Sequence, residues 1–132
     1  MQTSKKMQTS KYQFALDLHD AQSQICLMAT QGDTKRQFVI SLSDGGEPYS
    51  VEGVSAVHLL IERPDKSTIV EKNPILSEDG ATVTYNFTEF TCVAEGLHEC
   101  QLIFYGDADN VEELWSPCFS LYVNKKKQVP MT

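Results

Sequence analysis

Apolar residues in this chain recur at every second position, in short runs separated by turn-forming residues, and the segment Gln31–Tyr49 shows this most fully. Gln31-Gly32-Asp33-Thr34 reads as a turn. Phe38, Ile40 and Leu42 then share one face of a strand, and Asp44-Gly45-Gly46 with Pro48 reads as a second turn. A side-chain period of two sends alternate residues to opposite faces of a sheet, so a run of this kind commits the backbone to a half-buried strand. The glycines after Asp44 supply the positive-φ positions of a tight hairpin, and Pro48, which cannot donate a hydrogen bond, fits only beyond the ladder or at an edge. Glu62-Arg63-Pro64-Asp65-Lys66-Ser67-Thr68 repeats the same grammar. All of this builds scaffold, and none of it performs chemistry.

The same pattern runs through the rest of the chain. Tyr12, Phe14, Leu16 and Leu18 alternate with polar or small residues, and Ile25, Leu27 and Ala29 continue in a second strand. Ala56–Glu62 is apolar on both faces and is expected to be a central strand. Thr68-Ile69-Val70 follows the Pro64 turn. Asp79-Gly80 marks a hairpin turn before Val83, Tyr85 and Phe87. Thr88 is placed to cap one short helical turn running to Ala94 and closed by Gly96. Leu97–Tyr105 reads as a long strand, and Phe119, Leu121 and Val123 as the last. About eight or nine strands, with turn signals about every 8 to 12 residues and no long helix, predict a two-sheet sandwich rather than a barrel. The expected fold is all-β: an immunoglobulin-like antiparallel β-sandwich over residues 11–124 with one short helical turn. Flexible tails are expected at 1–10, which contains a duplicated Met-Gln-Thr-Ser, and at 125–132.

With 132 residues the chain is expected to form one domain with its own core. The net charge of -7 argues against a nucleic-acid partner, which needs a basic face, and leaves a solvated acidic surface or an acidic face for a basic partner. No apolar run approaches the roughly 18 residues of a membrane span, and the N-terminus has no apolar stretch behind its lysines, so no signal peptide is read. Cys26, Cys92, Cys100 and Cys118 lack the close spacing of a zinc or redox motif. Cys26 and Cys100 fall where immunoglobulin domains carry an inter-sheet disulfide, but no tryptophan lies between them and His98 occupies the place of the corner tyrosine. Buried free thiols are the expectation for a reducing compartment.

Candidate chemistry is sparse. His98 and Cys100 share a strand face and could ligate a metal together, though a satisfied core pair is the simpler assignment. The Asp107–Glu113 loop is rich in oxygen ligands but lacks the glycine of a calcium loop. No catalytic residues, cofactor or metal site are assigned. Tyr49 and Trp115, beside turns, are the candidates for stacking on a sugar, whereas Tyr12, Phe14, Phe87 and Phe104 read as core.

Taken in order, the turn and strand motifs resemble the N-terminal domain of phage baseplate upper proteins, an immunoglobulin-like module of siphophage and prophage tails. The residues that carry the resemblance are Gln31-Gly32-Asp33-Thr34, the strand Phe38–Leu42, Asp44-Gly45 with Pro48-Tyr49, Pro64-Asp65 with Lys66-Ser67-Thr68, Phe87-Thr88-Glu89 through Ala94-Glu95-Gly96, and Ser116–Val123. Three departures stand out: Lys66 replaces an expected glycine, the Asp107–Glu113 loop is longer and more acidic than the family pattern, and the chain ends where family members are expected to continue into a helical linker and a receptor-binding part. The resemblance implies a non-catalytic virion component, made in the bacterial cytoplasm, that docks on baseplate or tail core proteins, with self-association as a further mode. It supplies no partner-binding residues. The alternative is a glycan-binding or adhesin-type sandwich on a phage or cell surface.

Overall fold

A computed structural model describes residues 6–19, 25–107 and 112–130. It contains eleven strands in two sheets, and no helix among the described residues. The first sheet holds β1 (Ser10–Asp17), β3 (Arg36–Asp44), β8 (Thr82–Asn86) and β7 (Ile75–Leu76) in the order β1-β3-β8-β7, with β4 (Glu47–Pro48) also paired to β3. The second holds β2 (Cys26–Thr30), β11 (Phe119–Asn124), β9 (Gly96–Tyr105), β5 (Ala56–Glu62) and β6 (Thr68–Glu71) in the order β2-β11-β9-β5-β6, with β10 (Glu113–Trp115) also on β9. The expected central strand, β5, lies between β9 and β6.

Three expectations are corrected. The sheets are mixed rather than antiparallel, because β1 pairs parallel to β3 and β2 parallel to β11. The chain changes sheet between β1 and β2 and again between β2 and β3, so each of the first two strands joins the edge of a sheet in parallel. The described residues form eleven strands rather than eight or nine, since β4, β7 and β10 are only two or three residues long and too short for a periodic signal. Residues 88–95 form hydrogen-bonded turns instead of a helical turn. There the Thr88 side chain accepts from the Phe90 N–H at 3.2 Å, and its carbonyl accepts from the Thr91 N–H at 3.3 Å. Gly96 caps no helix but opens β9 at φ 121°, where a Cβ would stand 2.8 Å from Pro64 Cγ.

The core lies between the inner faces of the sheets and follows the alternation closely. Phe38, Ile40, Leu42, Val83 and Tyr85 of the first sheet face Leu59, Ile61, Leu102, Phe104, Leu121 and Val123 of the second. Phe38 is fully buried, with the rings of Phe87, Phe119, Tyr85, Phe14 and Tyr12 at 5.0 to 6.1 Å between centroids. Tilted and edge-on ring pairs at such distances add to the free energy of burial itself. Lys66 adopts the left-handed conformation, φ 75°, that its turn requires despite the missing glycine.

The strand registers define two ends of the sandwich. At the lower end lie Ser10, Arg36, Thr30, Asn124, Gly96 and Glu62; at the upper end lie Asp17, Asp44, Thr82, Tyr105 and Ala56. One buried carboxylate organises the upper end. Asp17 accepts from the backbone N–H of Gly45 at 3.0 Å and of Gly46 at 2.6 Å, and from Ser43 Oγ at 3.3 Å, tying the β3–β4 hairpin to the end of β1.

Candidate functional site

Apart from one imidazole nitrogen, the polar groups of the interior described below are committed to structure. Tyr85 Oη lies 2.6 Å from Thr91 Oγ1, which also accepts from the Thr88 N–H at 2.9 Å, while Thr88 Oγ1 donates to Glu71. Desolvation raises the Tyr85 phenol above its ordinary range, so it stays protonated as a donor. His98 and Cys100 share the inner face of β9, as the sequence predicts, and both are fully buried. His98 Nδ1 lies 3.0 Å from the Gly96 carbonyl, and Nε2 has no hydrogen-bond partner among the described residues. The ring is therefore neutral with its hydrogen on Nδ1. Burial holds its pKa below the usual value, against the opposing pull of the Gly96 carbonyl.

All four cysteines are free thiols. Cys92 and Cys100 are buried, and desolvation pushes the Cys92 thiol up to about 12 and the Cys100 thiol higher still. Cys26 and Cys118 are exposed, unlike the buried thiols expected. Cys26 lies on the outer face of its sheet and Cys100 on the inner face, so the sheet itself separates this pair. Thiols with raised pKa values are poor nucleophiles at neutral pH. Among the described residues no group of three or more His, Cys, Asp or Glu side chains could hold a metal ion. Residues 108–111 of the loop weighed for calcium lie outside the described residues.

Two concave features lie at the upper end. A cleft of about 770 Å³ runs between the 51–57 loop and the 74–80 segment; Val51, Val54, Ile75 and Leu76 line it, with Glu52, Glu78 and Asp79 around them. A second, of about 290 Å³, lies on the other side of residues 51–54, against Tyr49, Phe104, Leu114, Glu112 and Glu113. The 51–57 loop owes its position to Gly80. The Val51 N–H donates to the Gly80 carbonyl at 2.9 Å, and any Cβ on Gly80 would stand 2.2 Å from the Val51 carbonyl oxygen. Asp79 accepts from Ser77 Oγ at 2.6 Å and from the Ala81 N–H at 3.1 Å, and these bonds hold its carboxyl below the usual range and ionised.

The two aromatic candidates do not form one platform. Tyr49 packs half-buried on the core and lines the smaller cleft. Trp115 lies outside that cleft on the outer face, opposite Ile103; it is 45% exposed, and its indole N–H donates to Glu113 at 3.0 Å. Phe87 and Phe104 are buried as expected, whereas Tyr12 and Phe14 pack against the core only partly buried. What sequence reading missed is the gathering of carboxylates at one end, because they come from four separate stretches of the chain.

A scan of protein-family models finds no match, and a search of curated proteins finds none. Among solved structures the chain is similar to the N-terminal domain of phage TP901-1 ORF48: 14% identity, 89% of this chain and 100% of that domain covered, TM-score 0.68. The fold is shared across the whole of that domain. A looser likeness is to the fibronectin(III)-like modules of Clostridium thermocellum CbhA, at 15% identity over 85% of this chain and 99% of the other, with a TM-score of 0.45. Among the described residues no helix is long and apolar enough to cross a membrane.

Proposed function

We propose that this chain is an immunoglobulin-like structural module of a phage or prophage baseplate or tail, located in the virion, that acts by docking on other tail proteins and carries out no catalysis. The observation that carries the reading is the likeness to a phage protein's N-terminal domain over that domain's full length. The ordered turn and strand motifs from Gln31 to Val123 support it independently of the coordinates. Docking of this kind is expected to bury on the order of 800 Å² per partner. Pull-down with the purified chain against the tail proteins encoded beside it tests the reading. Retention of at least one is expected, and retention of none would overturn it.

A second reading, glycan recognition, is favoured by one observation, the exposed ring of Trp115. A glycan array with Trp115→Ala as control decides it: binding that is absent, or unchanged in the variant, removes this reading.

A further inference from the structure

The two sheets end in β1 and β7 and in β2 and β6, and three of these four strands resist the addition of another. β7 is two residues long and follows Pro74. β6 has four residues and lies between Lys66 and Lys72, charges of the kind that guard an edge. On β2 side chains reach across the edge: the Thr30 N–H donates to the Asp33 carboxylate at 2.9 Å, and the Met28 carbonyl accepts from Tyr12 Oη. β1 is the exception. It runs for eight residues without glycine, proline or a bulge, in unbroken register with β3. The Ser10 N–H donates to the Lys35 carbonyl and the Leu18 N–H to the Ser43 carbonyl, both at 2.8 Å, so the even-numbered residues of β1 bond β3. The backbone groups of Lys11, Gln13 and Ala15 therefore point away from the sheet. They have no hydrogen-bond partner among the described residues, and all three residues are exposed.

We infer that β1 is an interaction edge whose partner is the β1 of a second copy of this chain, paired antiparallel about a two-fold axis at Phe14. This goes beyond docking on tail proteins and stands whether or not that function does. A long edge strand left open is a template for a further strand, and the other edges show that this fold otherwise closes them. The occupant follows from what the strand offers to itself. Only residues whose backbone groups point outward exchange hydrogen bonds across the axis, so odd-numbered residues must face odd-numbered residues. With Phe14 on the axis, Gln13 faces Ala15 of the second copy. Lys11 then faces Asp17, whose carboxylate is held in place by the Gly45 and Gly46 N–H groups. Each basic strand start thus meets an acidic strand end, and the two lysines lie at opposite ends of the ladder. Centring the axis on Gln13 instead sets Lys11 opposite Ala15 and loses that match. On the inner side Phe14 faces Phe14 as a close, non-hydrogen-bonded pair, and Tyr12 faces Leu16. Tyr12 and Phe14 are only partly buried in the single chain, so the pairing covers rings that the core leaves open. A two-fold contact between identical strands closes on itself, and assembly stops at two copies.

The test uses the full chain alone, so its result does not depend on the pull-down. Sedimentation equilibrium is expected to show a monomer–dimer equilibrium and no larger species. Between about 10 μM and about 1 mM chain, hydrogen exchange should slow at the amides of Lys11, Gln13 and Ala15 and stay constant at Val70. Val70 is the matching position on β6, because the Arg63 N–H donates to the Ser67 carbonyl and the alternation turns Val70 away from β5. Gln13→Pro removes an N–H that the chain's own sheet does not use, and should weaken dimerisation by about tenfold or more. Val70→Pro makes the same change at a guarded edge and should alter it by less than about twofold. Lys11→Glu leaves the backbone intact and sets like charges opposite each other; a weakening of about threefold is expected at low salt, shrinking at high salt. A chain that stays monomeric at about 1 mM overturns the inference. So does a dimer whose Lys11, Gln13 and Ala15 amides exchange as fast as in the monomer, an equal loss in both proline variants, or a Lys11→Glu variant that dimerises like wild type. If Gln13→Pro unfolds, the amides and Lys11→Glu decide without it.

Discussion

Gly80 fixes the upper end through a single missing methyl group. At φ 72° it holds a conformation that L side chains rarely adopt, and the Val51 carbonyl fills the space where a Cβ would stand. Gly80→Ala therefore combines backbone strain with a backbone–backbone clash, and a loss of about 2 to 4 kcal/mol is expected in urea denaturation. Gly46→Ala, at φ 85° with nothing within 4 Å of the added carbon, is the control, with a cost of only about 1 kcal/mol. Equal costs would show that the close approach to Val51 is unimportant. Sequence made the turn at Asp79-Gly80 legible, because the dipeptide is turn chemistry in itself. It did not reveal the contact with Val51, which depends on a loop almost thirty positions earlier in the chain. Lys66 shows the converse: the pattern calls for glycine, and the backbone takes the left-handed conformation regardless.

The strands themselves were readable wherever a run exceeded about four residues, because alternation is imposed by burial of one face. β1, β3, β5, β9 and β11 all fall within a few residues of where Tyr12, Phe38, Ala56, Leu97 and Phe119 place them. Pairing direction was not readable, since parallel and antiparallel strands share the same side-chain period. The turns after β8 misled for a related reason: Thr88 and Gly96 are residues that cap helices, but here they cap turns and open a strand. That segment is held instead by a polar network joining β6, β8 and the 87–95 connection. Thr91, 1% exposed, sits at its centre between Tyr85 Oη and the Thr88 N–H. Thr91→Val keeps the shape and removes the acceptor, so a destabilisation of about 1 to 3 kcal/mol is expected. Hydrogen exchange should quicken in the amides of 88–95 before those of β3 or β9, and uniform acceleration would argue against a local role.

Across the whole molecule, the acidic end illustrates what a linear reading cannot assemble. Asp44 and Glu47, Glu52, Glu78 and Asp79, and Glu112 and Glu113 read as separate polar turns in the sequence; the strand pairing and the two clefts between the loops bring them to one end. The stability of the fold should also depend on pH through His98. Its folded pKa is lowered by burial, so below its ordinary value of 6.5 the unfolded chain takes up a proton that the native ring refuses. Stability is thus complete above that value and declines as pH falls through it towards the lower folded pKa. Urea midpoints at about pH 7.5 and 5.5 should drop less in His98→Gln than in the wild type, and identical drops would remove His98 as the cause.

The strand directions carry one mechanical consequence. Ser10 and Asn124, the outermost residues of β1 and β11, are both at the lower end, each paired there to a residue of a different strand. Tension applied through these two points acts across the ladders rather than along them, so the bonds between β1 and β3 are loaded one after another from Ser10 upward, as in a zipper. The Asp17 cradle, the clefts and the carboxylate rim lie at the far end of that zipper. A pull on the chain reaches them last.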